Sequence, residues 1–78
     1  MSNTNYVVTG HDADSITLRP MGVPGKVSSV TLRRDSIVSV RRTLGIIKAE
    51  TSGGAVYAVL EGFRKKQVKL TEAAFAQQ

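Results

Sequence analysis

The chain has 78 residues, no cysteine, and 11 Lys and Arg against 6 Asp and Glu, which gives a formal charge of +5. This length predicts one domain over residues 1–78, of modest stability because a small chain buries a limited share of its surface. The missing cysteines exclude disulfides, thiolate metal sites and cysteine nucleophiles, and the positive charge favours anionic partners.

Short β-branched runs separated by turn residues dominate the chain, and they predict strands. The runs are, in chain order, 6–9, 15–19, 27–32, 37–42, 46–51 and 55–60. In the second run Ile16 and Leu18 share one face, and Pro20 ends it because proline cannot donate to a ladder. In the fourth run we expect Val38 and Val40 on the face opposite Ile37. The last run is apolar on both faces and predicts the most central strand.

Turn residues divide these runs. A polar loop follows the first strand, and a loop over 21–26 carries glycines that tolerate positive φ. The segment 33–36, Arg-Arg-Asp-Ser, predicts a tight turn that folds the third and fourth strands into a hairpin. Gly45 predicts a turn or a bulge, and Ser-Gly-Gly at 52–54 predicts a strong turn.

The C-terminal segment supports two interpretations. Residues 67–70 alternate as a strand does, whereas Thr71 suits a helix N-cap and 72–77 are mostly good helix formers. We expect a short helix docked by Phe75, and disorder at residues 1–4 and 77–78. The predicted fold is therefore mainly β: a small, strongly bent antiparallel β-barrel or half-barrel of five to seven strands with a short C-terminal helix. The alternative is an open sheet whose edge pairs with a second copy.

Residues 30–40 resemble the strand–turn–strand segment of bacterial pleckstrin-homology-like domains. The strand–turn–strand rhythm of 45–60 and the helix around Phe75 continue that resemblance. The resemblance covers about half of the chain and includes no diagnostic residue, so it assigns no family.

Little in the sequence supports catalysis. His11, Asp12 and Asp14 are the nearest approach to a metal or catalytic cluster, but three or four converging ligands are needed and no second His exists. We interpret them as a solvated turn. The Gly-Lys at 25–26 lacks the glycine spacing and the following Ser or Thr of a phosphate loop. We expect a non-catalytic protein without metal or cofactor.

The basic residues carry the strongest functional signal, since Arg and Lys bind phosphate groups. The candidate nucleic-acid contacts are Arg33, Arg34, Arg41, Arg42, Lys48, Arg64, Lys65 and Lys66. A hairpin would bring Arg34 near Arg41, and a curved sheet could gather the whole set into one stripe. Rings for base stacking are few. We expect Tyr57 in the core and Phe63 as the best exposed ring.

These observations predict a non-catalytic binding module that contacts nucleic-acid phosphates through clustered Arg and Lys. The rival hypothesis is a protein-interaction or homo-oligomerisation module with no nucleic-acid role. It would use edge-strand pairing or the apolar faces of Ile46, Val56 and Phe63. The polar start of the chain lacks a signal-peptide pattern, and no apolar run approaches the roughly 20 residues of a membrane span. We expect a cytoplasmic protein with no membrane partner.

Overall fold

The structure, a computed structural model, describes residues 4–22 and 29–76. It contains six strands and one helix. The strands are β1 Asn5–His11, β2 Ser15–Pro20, β3 Val30–Arg33, β4 Ile37–Thr43, β5 Ile46–Thr51 and β6 Val56–Leu60, and the helix is α1 Lys65–Phe75. The mainly β fold with a C-terminal helix is confirmed. The expected start of the third strand at 27–28, most of the loop before it and most of both expected disordered ends lie outside the described residues.

The strands form one sheet in the order β3-β2-β1-β6-β5-β4, so β6 lies in the central pair as predicted. The prediction of a wholly antiparallel sheet is wrong, because β1 and β6 run parallel through Asn5–Ala58 and Tyr6–Val59. The cause is the short 3₁₀ turn Arg34–Ser36 between β3 and β4. It carries the chain onward in the same direction instead of reversing it, which makes the two halves of the sheet meet in parallel.

The predicted hairpin of the third and fourth strands is also wrong. β3 pairs with β2, whereas β4 pairs with β5. The backbone N–H of Arg34 donates to the Asp14 carbonyl at 2.9 Å, and the N–H of Ser52 donates to the Ser36 carbonyl at 2.7 Å. The 3₁₀ turn thus links the two halves of the sheet, and Arg34 and Arg41 do not lie at one end of a hairpin.

This link bends the sheet. β3 and β4 are its two edges, yet only Arg34–Ser36 separates them in the chain. Six flat strands would span about 24 Å from edge to edge. The chain from Arg33 to Ile37 reaches at most about 14 Å. The sheet must therefore curl until its edges approach. Because β3 and β4 do not pair within the described residues, a closed barrel is not confirmed and a half-barrel is compatible.

The apolar core lies on the inner face of this curl. Its buried sheet residues are Val8, Ile16, Leu18, Leu32, Ile47, Ala49 and Val59. Phe75 and Ala74 from the last turn of α1 are buried in the same cluster, which confirms the predicted docking by Phe75. The ring of Tyr57 meets Tyr6 edge-on with ring centres 5.3 Å apart and packs against this core, as predicted.

A bulge in β4 overturns the predicted face assignment there. The register shifts between Ile37 and Ser39, so Ile37 and Val40 both pack against the core. Val38 is left outside the pairing and is 60% exposed. The strict alternation assumed from the sequence fails because a bulge inserts one extra residue into the strand.

The helix begins earlier than predicted. It starts at Lys65 with Arg64 as its N-cap residue, so the strand interpretation of 67–70 is wrong. Thr71 is buried inside the helix and donates its hydroxyl to the Gln67 carbonyl at 2.9 Å, so it is not the N-cap. Gln67, Leu70, Thr71, Ala74 and Phe75 follow the three- and four-residue spacing of a helix face. That face packs on the sheet, and packing decides between the two local interpretations.

Arg34 holds the helix against the sheet. Its Nη1 donates to the Ala74 carbonyl and its Nε donates to the Asp12 carbonyl, each at 2.7 Å. Its Nη2 lies 3.4 Å from Nδ1 of His11. A carbonyl in the last turn of a helix has no partner within the helix, and a cation there also favours the helix dipole. The guanidinium therefore joins the β1–β2 turn to the end of α1.

Two neighbouring arginines provide a matched test of this role. Arg34→Ala should lower the free energy of unfolding by about 2 kcal/mol, because charged hydrogen bonds are lost and a helix carbonyl loses its partner. Arg33→Ala removes the same charge from an exposed pair and should cost less than about 1 kcal/mol. Urea unfolding of both variants measures the difference. Equal losses would contradict the structural role of Arg34.

Candidate nucleic-acid interface

The eight cations predicted from the sequence lie in four places. Arg33 and Arg34 are at the β3–β4 link, and Arg41 and Lys48 are on the outer face of the sheet. Arg42 is at the end of β4, beside Glu61. Arg64, Lys65 and Lys66 are at the start of α1. The curled sheet does not gather them into one stripe, because strand alternation separates neighbours in the chain.

In addition to Arg34, which donates to backbone carbonyls, two of these cations interact with a carboxylate of the fold. Arg33 is an exposed residue whose Nε lies 3.4 Å from Oδ1 of Asp35. Arg42 Nε lies 3.9 Å from Oε1 of Glu61. The first pair is exposed and the second is partly exposed, and a pair of this kind contributes little to stability but does compensate the charge locally.

The outer face of the sheet carries one close pair of like charges. Arg41 lies directly opposite Lys48 in the β4–β5 ladder, an arrangement that destabilises a strand pair. A shallow groove of about 210 Å³ runs beside the pair, lined also by Ser39, Glu50 and Val56. Val56 on this face is 55% exposed, so the last strand is not buried on both faces.

The densest group of cations is at the start of α1. We call Arg64, Lys65, Lys66 and Lys69 the helix-start cluster. All are exposed, and none forms an ion pair within the described residues. The first turn of the helix holds no acidic residue, and Arg64 makes no side-chain cap bond. The N-terminus of a helix already carries partial positive charge, so these cations raise the local positive potential further. The carboxylate of Glu72, which lines the same surface as Lys65 and Lys69, offsets part of it.

Phe63 stands beside this cluster with its side chain completely exposed, at 103% of the reference value. The preceding Gly62 has φ +97°, a conformation that favours glycine, and it turns the chain from β6 into the helix. A Cβ at Gly62 would lie 2.8 Å from Cβ of Gln67. The outward position of Phe63 is thus set by a tight turn against the helix, and the predicted exposed ring is confirmed.

Leu44 is the second fully exposed large apolar residue, at 98%. It lies in the β4–β5 turn with φ +45°, an unfavourable conformation for leucine. The N–H of Glu61 donates to the Gly45 carbonyl at 2.9 Å, which places this turn at the same end of the sheet as Phe63. Leu44 therefore adds a second exposed apolar side chain to that end.

The turn His11–Asp14 is stabilised by hydrogen bonds from its own backbone to the side chain of Asp12. The backbone N–H groups of Asp14 and Ser15 both donate to Oδ1 of Asp12 at 2.8 Å. These bonds, with that from Asp14 the largest cause, hold the pKa of Asp12 below its usual range. Within residues 4–22 and 29–76, no three His, Asp or Glu side chains come together as metal ligands.

Part of the surface around Phe63 is predictable from the sequence. In a helix that begins at Lys65, the spacing of Lys65, Lys69 and Glu72 places these three residues on one helical face. The exposure of Leu44 is not predictable from the sequence, because an apolar residue next to a strand is expected to be buried. Its exposure becomes evident only from the position of the β4–β5 turn in the structure.

Gly62 gives a test of how this end is built. Gly62→Ala should lower the free energy of unfolding by about 2 kcal/mol, because it combines positive φ with a clash against Gln67. Gly53→Ala is the matched control, since Gly53 has no atom within 4 Å of an added Cβ. We expect that control to stay within about 0.5 kcal/mol in urea unfolding. A tolerated Gly62→Ala would contradict the tight turn.

Comparison of the chain with models of protein families, with curated proteins and with solved structures finds no match. None of the described helices is long and apolar enough to cross a membrane. Evidence about function therefore comes from the arrangement of the exposed cations and Phe63 at the start of α1.

Proposed function

We propose that this protein is a non-catalytic module that binds the phosphate backbone of nucleic acid at the helix-start cluster. The observation that carries the proposal is the position of four exposed cations, none in an ion pair among residues 4–22 and 29–76, beside a fully exposed aromatic ring. Cations on one short helical segment are held at fixed spacing, unlike charges scattered over a surface. Phosphates would offset the positive charge that remains after the one carboxylate of Glu72 beside these cations is counted.

The chemistry of the cluster suits phosphate groups, and the exposed ring beside it favours a nucleic acid over a carboxylate-rich protein surface. Arg64 offers a planar fork to phosphate oxygens, and Lys65, Lys66 and Lys69 offer point charges along the backbone. Phe63 adds a ring at the same place, and aromatic rings beside basic grooves are typical of proteins that bind single strands. The predicted contacts Arg41 and Lys48 lie on the outer face and form a separate, smaller candidate.

Two variants of equal charge test where binding occurs. The first changes Lys65, Lys66 and Lys69 to Gln, and the second changes Arg19, Arg41 and Lys48 to Gln. Each lowers the formal charge from +5 to +2. Fluorescence anisotropy with labelled oligonucleotides should show at least about tenfold weaker binding for the first variant, and its salt dependence should be shallower by about two in the logarithmic slope.

The second variant should keep most of the affinity, because its charges lie on another surface. Equal losses in both variants would mean that binding depends on net charge alone and would overturn the assignment to α1. Failure of the unmodified protein to bind any oligonucleotide at low salt would overturn the function itself.

Edge-strand pairing is the second candidate function, as a protein-interaction or homo-oligomerisation module. The observation that favours it is the outer edge of β4, which has no strand partner among the described residues and which exposes Val38. Unpaired edges are templates for a strand from another chain.

Light scattering with two lysine variants tests this candidate. Val38→Lys places a charge on the edge, and Leu44→Lys places the same charge on a hairpin turn. We expect a dimer, if edge pairing operates, to dissociate in the Val38 variant alone. A monomer at every concentration would contradict self-association through this edge.

A further inference from the structure

A groove of about 360 Å³ lies between Phe63 and the exposed side of α1. It is lined by Phe63, Lys65, Val68, Lys69 and Glu72. The helical residues have the spacing of one face, so the backbone of the helix and of the turn before it sets the position of the groove. Its floor is apolar at Val68, and its rim carries two lysines and one carboxylate.

We infer that this groove receives one unstacked base of a single-stranded nucleic acid, an inference that rests on the proposed function. Phe63 provides a flat ring against which a base stacks, and Val68 provides an apolar contact at the floor. Lys65 and Lys69 lie where they can hold the phosphates on either side. The positive rim thus favours a polyanion. The ring favours a nucleic acid whose bases are unstacked and can therefore stack on Phe63.

Duplex nucleic acid does not satisfy the groove in the same way. Its bases are stacked on each other, so a duplex meets this surface only through its phosphates. Extracting a base from a duplex costs a few kcal/mol, and a single strand avoids that cost. The groove therefore predicts a preference for single strands that depends on the ring, in addition to the affinity supplied by the cations.

The ring is tested with labelled single strands and duplexes of about 20 nucleotides, a length that spans one binding site. Phe63→Leu keeps an apolar side chain but removes the ring. It should weaken binding of single strands by at least about fivefold and change duplex binding less than twofold. Phe63→Trp should restore single-strand binding. Met21→Ala is the control, because it removes an exposed apolar side chain that does not line the groove and should have no more than a twofold effect.

The outcomes separate the inference from the function on which it rests. Binding that is lost in the lysine variant but is unaffected by Phe63→Leu would overturn the base site and leave the phosphate site standing. Equal effects of Phe63→Leu and Met21→Ala would also overturn it, because the loss would then not depend on the groove. Absence of binding by the unmodified protein would overturn both.

Discussion

The short link between β3 and β4 is the constraint on which the rest of the structure depends. Three residues join the two edges of a six-stranded sheet, and they are too few to cross a flat one. The sheet therefore curls, and its inner face becomes a core that strands alone do not fill. The end of α1 completes that core with Phe75, and Arg34 from the same link bonds the last turn of the helix. One link thus sets both the curvature and the site at which the helix docks.

The link between β3 and β4 also contains a cation with a structural role, in contrast to the exposed cations elsewhere in the protein. Arg34 is committed to backbone carbonyls of two elements, while its neighbour Arg33 is exposed and paired with Asp35. One face of α1, from Gln67 to Phe75, packs on the sheet, so Lys65 and Lys69 lie on the opposite face and are exposed to solvent. Phe63 is exposed in the turn that precedes the helix. The backbone of such a site needs no ordering on binding, so the entropic cost of recognition is limited to the exposed side chains.

Much of the fold could be predicted from local pattern. Strand existence followed from β-branched runs and turn residues, and the docking role of Phe75 and the exposure of Phe63 followed from their neighbours. The errors share one origin. The segment 33–36 looks locally like a hairpin turn, Val68 and Leu70 look locally like a strand, and Thr71 looks like a cap. In each case long-range packing decided between conformations of similar local preference.

The sequence by itself determined the composition of the site: a basic segment at 64–69 next to Phe63, and an excess of positive charge in the second half of the chain. It also determined the alternation that places a core on one face of the sheet. Only the tertiary structure decided which cations interact with other groups of the fold and which side of each strand faces solvent. It also decided that the two halves of the sheet meet in parallel. The physical reason is that charge and periodicity are properties of neighbouring residues. Strand partners, helix docking and the compensation of each charge depend on residues far apart in the chain, such as Arg34 and Ala74.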